Sequence, residues 1–316
     1  MSRKHPGPAI RPADPAGIAS ACALLQAGAP VALPTETVYG LAARADRGDA
    51  VAAIYAAKGR PSFNPLIVHV ADVSQAAELA QFGDRARALA AAFWPGALTM
   101  VLPLKDGAAI APAVTAGLST IALRCPAHPV MRAVLAQCGL PLAAPSANRS
   151  GSVSPTEAVH VADSLSGRIA LVLDGGRCAA GLESTIVALR GGGIWQLLRP
   201  GPISEAEISE VLGGPPAPMT SAKIEAPGQL ASHYSPGKPL RLDAETAEPD
   251  EFLIGFDAVE GHINLSPAGD LAEAAAQLYA ALHRAAAAPQ PRVAVAQIPG
   301  SGLGAAINDR LRRAAS

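Results

Sequence analysis

Apolar positions along this chain alternate between two rhythms, one suited to helices and one to short buried strands. Residues 16–27 carry apolar side chains at helical spacing and stop at Gly28, a residue suited to a C-cap. Val31-Ala32-Leu33 reads as a short strand, and 49–57 as a helix opened by an acidic cap at Asp49. The run 66–70 is apolar and β-branched enough for an interior strand. A helix over 86–93 stops at Trp94-Pro95-Gly96. Strands are predicted at 98–102 and 120–124, then a helix at 129–138. Further strands follow at 140–144, 169–173, 184–189 and 194–198. Interleaving of this kind predicts one α/β domain.

The pattern then breaks. Gly213-Gly214-Pro215-Pro216-Ala217-Pro218 cannot continue a helix or a central strand and reads as a linker. The stretch 226–239 (APGQLASHYSPGKP) is turn-forming yet carries His233 and Tyr234. A smaller α/β unit follows, with strands at 252–256 and 293–298 and helices at 271–287 and 305–315. The expected organisation is a domain over 1–212, a linker or lid over 213–239, and a small Rossmann-like α/β domain over 240–316. No internal repeat is visible.

Composition narrows the classes. With 316 residues, half of them hydrophobic, the chain can bury a sizeable core. Its formal net charge of −1 gives no global pull toward nucleic acid or membrane. The basic start (MSRKHPGPAIRPAD) lacks an apolar run and reads as a frayed lead-in rather than a signal peptide. No apolar run approaches the roughly 18–20 residues of a membrane span. Cys22, Cys125, Cys138 and Cys178 are far apart with no CxxC spacing, which suits reduced thiols of a cytoplasmic protein and excludes a zinc finger.

The chemistry lies in a few short clusters. No GxxxxGK[ST] occurs, which disfavours a P-loop. Gly300-Ser301-Gly302-Leu303-Gly304-Ala305 matches GxGxxA, but too little chain follows for a dinucleotide fold, so it reads as a tight turn into the last helix. Lys58 at a helix C-terminus could simply complement the helix dipole. Arg60 two residues later, with Pro61, Asn64 and Pro65 stiffening the exit, makes that insufficient. A lysine point charge beside an arginine fork suits polyphosphate oxygens. Ser146-Ala147-Asn148 after a strand, Asp174-Gly175-Gly176, Glu183-Ser184-Thr185 and Arg199-Pro200-Gly201 are each weak alone.

In this order they are not weak. PTETVYGLAA, KGRPSFNPLIVHV, WPGALTMVL, TAGLSTIALRCPAHP, APSANRSG, GLESTIV and LLRPG resemble the YrdC-like family. The trailing APGQLASHYSP and the small C-terminal unit are similar to its two-domain branch, the L-threonylcarbamoyladenylate synthases. Both the KxR (Lys58, Arg60) and SxN (Ser146, Asn148) signatures are intact.

The resemblance implies an α/β fold built on a twisted mixed sheet with flanking helices, and an enzyme that joins L-threonine, bicarbonate and ATP into threonylcarbamoyl-AMP and diphosphate. Its product would pass to a threonylcarbamoyl transferase acting on tRNA, and a weak tRNA contact of its own is a further expectation. It implies Lys58 and Arg60 as the catalytic pair, with Asn64, Thr120, Ser146, Asn148, Ser154, Arg199 and Tyr234 as further ATP contacts. Thr35 or Thr37, His69, Arg124, the Ala144 backbone and Ser184 would hold L-threonine. Mg2+ would arrive with ATP, bound mainly through phosphates rather than protein side chains. Tyr234 would belong to a lid that closes over the nucleotide. Other members of the family suggest RNA binding or carbamoyl transfer instead. Near-neutral charge opposes the first, and the missing CxxC motifs oppose the second.

Overall fold

The computed structural model of the chain describes residues 7–218, 225–228 and 233–316. The first unit opens with β1 (Ala9–Pro12), α1 (Pro15–Gln26), β2 (Val31–Leu33), β3 (Gly40–Arg44), α2 (Gly48–Lys58) and β4 (Ile67–His69). It continues through α3 (Val73–Leu79), α4 (Asp84–Phe93), β5 (Leu98–Pro103), α5 (Pro112–Thr115), β6 (Thr120–Arg124) and α6 (Pro129–Cys138). It closes with β7 (Leu142–Ala143), α7 (Ala158–Ser164), β8 (Leu171–Asp174), β9 (Thr185–Leu189), β10 (Trp195–Arg199) and α8 (Glu205–Leu212). The second unit holds β11 (Leu240–Arg241), β12 (Glu251–Gly255), β13 (Ile263–Asn264), α9 (Leu271–Ala287), β14 (Arg292–Val295) and α10 (Leu303–Ala314).

Among the described residues, ten strands make one mixed sheet in the order β1-β8-β2-β3-β7-β4-β6-β5-β9-β10. The second unit has a sheet in the order β11-β14-β12-β13, parallel throughout, as a Rossmann-like unit requires. Alternation of side chains along each strand gives the large sheet two faces. On one, Val68, Met100, Leu123 and Val187 pack into the main core beneath the helices. On the other, Ile67, Val101, Ala122, Ile186, Ala188 and Leu198 form a small apolar floor that Ala226 of the linker covers. Among the described residues, no helix is long and apolar enough to cross a membrane.

Three local expectations are corrected. Residues 9–12 are not a frayed lead-in: β1 pairs in parallel with β8, Ala9 opposite Leu171. Its residues are all exposed, so no apolar pattern marks it. Asp49 does not cap α2. Arg47 occupies the N-cap without a side-chain bond, and Asp49 lies inside the first turn, paired with Arg47. The strand expected at 140–144 shrinks to the two residues of β7. The start of the linker runs beside β10, where Ala217 N donates to Trp195 O at 2.8 Å.

Candidate active site

Short strands bring distant loops together over the linker-covered face. β4 and β6 are parallel with His69 opposite Arg124, so both site residues end their strands side by side. β9 runs parallel to β5 and β5 antiparallel to β6, which places Ser184, just before β9, at that same end. Arg199, ending the antiparallel β10, joins them. β7 runs against β4, and Ala144 N donates to Ile67 O at 3.0 Å, so Ala144-Pro145-Ser146 approaches from the other end. Three residues of strand span only about 10 Å, so one cavity can be bounded from both ends.

Among the residues that line that cavity are Thr35, Thr37, His69, Arg124, Ala144 and Ser184, expected for threonine, and Arg60, Ser146, Arg199 and Tyr234, expected for the nucleotide. Glu183, His233, Pro227 and Gly228 line it as well. Lys58, Asn64, Asn148, Ser154 and Thr120 do not line it. Lys58 Nζ donates to Ser146 O at 2.6 Å and Asn148 O at 2.5 Å, so it fixes the Ser-Ala-Asn loop from behind. Ser154 Oγ reaches the wall through Glu183 Oε1, 2.6 Å away. Thr120 shares the face of Arg124 but stands four residues back, opposite Pro103.

Thr35 and Thr37 divide their labour. Thr35 Oγ1 donates to Val38 O at 2.6 Å and accepts from the Val38 backbone N–H, closing the turn on itself. Thr37 Oγ1 instead accepts from Arg124 Nη1 at 2.8 Å and shares a hydrogen bond with Thr35. Glu36 Oε1 lies 2.6 Å from Arg124 Nη2, yet neither atom has a partner in hydrogen-bonding geometry. Burial raises the Glu36 carboxyl, but the adjacent Arg124 charge, with smaller contributions, outweighs it and leaves it below its ordinary value. Ser184 Oγ is shared between Thr99 Oγ1 at 2.7 Å and Arg199 Nη2 at 3.2 Å.

The electrostatics are lopsided. Lys58, Arg60 and Arg199 are all buried, and among the described residues none is paired with a carboxylate. Arg60 donates to the Asn64 and Pro65 carbonyls, and Arg199 to the Ser184 and Pro227 carbonyls. Burial lowers Lys58 well below its ordinary value, with the Arg60 charge adding to it, and brings Arg60 down to about 10. Buried cations facing only carbonyls favour an incoming anion. Nδ1 of His69, which lines the cavity, is buried without a hydrogen-bond partner, as are Asn64 Oδ1 and Asn148 Oδ1 on the adjoining Arg60 and Ser146 loops. Such atoms are rare in folded proteins and point to a ligand. Burial, then the Arg124 charge, pushes His69 down to about 3, so its ring is neutral.

The linker roofs the cavity. Tyr234 is buried and sits at φ 67°, a left-handed conformation that costs a bulky residue about 1–3 kcal/mol. Gly228 has φ 83°, and a Cβ there would stand 2.9 Å from Arg199 Cδ, so only glycine lets the linker press on that arginine. Ser235 N donates to Gly151 O at 2.9 Å and His233 N to Arg313 O at 3.0 Å, tying the segment to both units. Sequence reasoning passed over the wall residues Glu183 and His233, and Glu36, which pairs with the wall residue Arg124. Each adjoins a singled-out residue, Thr37, Ser184 or Tyr234, and that adjacency was the available signal.

Comparison with known proteins agrees with this geometry. The family described as "Telomere recombination" matches residues 23–201, and "Threonylcarbamoyl-AMP synthase, C-terminal domain" matches 203–316. The division falls before α8, although α8 packs against α4 of the first unit. The chain is 42% identical to "Threonylcarbamoyl-AMP synthase" of Bacillus subtilis (strain 168), over 94% of this chain and 92% of that protein. It is 35% identical to the protein of the same name from Pyrococcus abyssi, over 93% and 92%. The solved structure "P. abyssi Sua5 complexed with L-threonine" superposes with a TM-score of 0.87 at 34% identity, covering 94% of each chain. With both units matched, in order and nearly end to end, this chain belongs to the two-domain Sua5 branch of the YrdC-like family.

Proposed function

We propose that this protein is a threonylcarbamoyl-AMP synthase: it converts L-threonine, bicarbonate and ATP into threonylcarbamoyl-AMP, diphosphate and water. The observation that carries the reading is the pairing, in one cavity, of buried cations without carboxylate partners and a separate Arg124–Thr37–His69 group. The first set suits phosphates and the second an amino acid. The relatives of the same name and the L-threonine complex of a relative support the assignment.

The threonine carboxylate would sit against the Arg124 guanidinium, which also serves Glu36 and Thr37. Its side-chain hydroxyl needs a polar partner, because a buried hydroxyl left unpaired is costly; this separates threonine from valine. Neutral His69 and Ser184, both lining the cavity, are the partners proposed for it. The amine condenses with bicarbonate to a carbamate, releasing water. A carbamate oxygen then attacks the α-phosphorus, and the bond from that phosphorus to the diphosphate oxygen breaks. No covalent enzyme intermediate is needed, so orientation and charge stabilisation by Arg60 and Arg199, with Lys58 acting beside the Ser146–Asn148 loop it holds, supply the catalysis. The buried Tyr234 roof excludes water from the activated product.

Among the described residues no cluster of three or more His, Cys, Asp or Glu side chains could hold a metal. Glu183 of the wall and Glu36 beside Arg124 are each engaged by an arginine. Mg2+ would arrive with the ATP, bound mainly through its phosphates. The product is a mixed anhydride, so a threonylcarbamoyl transferase acting on tRNA adenosine would consume it, within the cytoplasm.

The test is diphosphate release with purified protein, ATP and Mg2+, with mass detection of threonylcarbamoyl-AMP. Release should require L-threonine and bicarbonate together. Equal release without an amino acid, or with carbamoyl phosphate replacing both, would overturn the reading.

A further inference from the structure

Glu183 and Arg310 are 127 residues apart, yet Arg310 Nε donates to Glu183 Oε2 at 2.9 Å with both side chains buried. Tyr279 Oη donates to the same oxygen at 2.8 Å. The other carboxylate oxygen accepts from Ser154 Oγ at 2.6 Å. Glu183 is thus a divided residue. One oxygen is held by α9 and α10 of the second unit, and the other holds a serine of the first unit's nucleotide-side loop. Arg310 spends its remaining donors on Asp309 and on Pro200 O at 3.0 Å, beside Arg199.

The same two second-unit residues also seat the linker. The Tyr234 ring stacks on Tyr279 with centroids 5.5 Å apart, and the Arg310 guanidinium lies 5.6 Å from the Tyr234 ring centre. Tyr234 is the strained residue of the roof, so contacts from outside the linker must hold its conformation. Charge adds a second reason for Arg310. Glu183 lines a cavity otherwise rich in cations, and its negative charge would repel phosphates unless a cation masked it.

We propose that Arg310 and Tyr279 are positioning residues for the nucleotide: the second unit seats Tyr234 in the closed roof and, through Glu183, fixes Ser154 while masking the Glu183 charge. This rests on the synthase reading for the identity of the nucleotide, but not for the seating of the linker.

The full-length protein and its Arg310→Gln, Tyr279→Phe and Glu183→Gln/Arg310→Gln variants separate the possibilities. Arg310→Gln should raise the ATP KM and the Kd for a non-hydrolysable ATP analogue at least tenfold, with threonine Kd within twofold. Tyr279→Phe keeps the ring and should raise both nucleotide constants about threefold. The double variant removes repulsion and attraction together and should recover most of the lost nucleotide affinity. Amide hydrogen exchange at 234–235 should speed at least tenfold in Arg310→Gln, whether or not the protein turns over. If Arg310→Gln does not fold, Tyr279→Phe decides the matter. The proposal is overturned by unchanged nucleotide constants and exchange in Arg310→Gln and Tyr279→Phe, or in Tyr279→Phe alone where Arg310→Gln does not fold, or by equal losses of threonine and nucleotide affinity. A wild-type protein with no threonine-dependent diphosphate release would overturn the synthase reading and leave the exchange result to judge the seat.

Discussion

Arg124 Nη1 donates a 2.8 Å hydrogen bond to Thr37 Oγ1, joining the end of β6 to a loop 87 residues earlier. Thr35, two residues away, spends its hydroxyl on its own turn. Thr37→Val should therefore raise the threonine KM about tenfold or more with little change in Tm. Thr35→Val should lower stability by about 1–2 kcal/mol, as expected for a lost buried hydrogen bond, with a smaller change in KM. Steady-state kinetics beside thermal melts distinguish the two, and the reverse pattern would exchange their roles.

Lys58 ends α2 and holds the Ser146 and Asn148 carbonyls. Complementing the helix dipole is worth about 0.3–1 kcal/mol, whereas a cation that stabilises transition-state charge is worth roughly 100- to 1000-fold in turnover. Lys58→Met should lower kcat by about 100-fold or more and also reduce Tm, because two buried carbonyls lose their donor. A lower Tm with unaltered turnover would confine Lys58 to the scaffold.

Gly228 lets the linker lie against Arg199. Gly228→Ala places a Cβ there at positive φ, a strain of about 1–2 kcal/mol, and should lift the roof. The expected outcome is an ATP KM raised about tenfold with threonine Kd nearly unchanged. Titration calorimetry with each substrate separately checks this, and equal ATP affinity in both proteins would count against the roof.

His69 and His233 are pushed by burial to about 3, and His160 and His283, a stacked interdomain pair, to about 4. Their ordinary value is 6.5, so the folded protein binds fewer protons than the unfolded chain between those limits. Their contribution to stability is complete above pH 6.5 and is lost as pH falls toward 4 and 3. His69 and His233 alone set a slope of about 3 kcal/mol per pH unit below pH 6. Glu183, held near 2 by Arg310 against the cost of burial, adds to the loss below its ordinary 4.5. Tm should be flat from pH 7 to 8 and fall steeply from 6 to 4.5; a flat profile down to pH 5 would refute this.

Much of the architecture was legible because its elements carry their own signals. β6, α6 and α9 have the residues their apolar patterns predict, 120–124, 129–138 and 271–287. Most of the cavity wall was legible too, through the order of short motifs rather than through any one of them. What escaped shares a cause: it depends on pairing across the chain. β1 exists because β8 offers an edge, and its exposed Ala-Ile-Arg-Pro carries no period. Glu183 reads as an ordinary residue of a turn until α10 arrives beside it. Linear spacing also could not reveal that the Ser146 loop enters from the opposite end to His69, since that follows from the antiparallel β4–β7 register.

The burial of Glu183 has a consequence for folding. Among the described residues, the cation in salt-bridge contact with this carboxylate comes from α10, so the first unit by itself would leave it without its partner. Breaking a buried pair by withdrawing one partner costs about 3–5 kcal/mol, a large share of a typical domain's stability. The two units are therefore not beads on a string but halves of one cooperative melt. Calorimetry should show a single transition, and severing the chain within the linker should leave a first unit that reaches its compact state only when the second is added back.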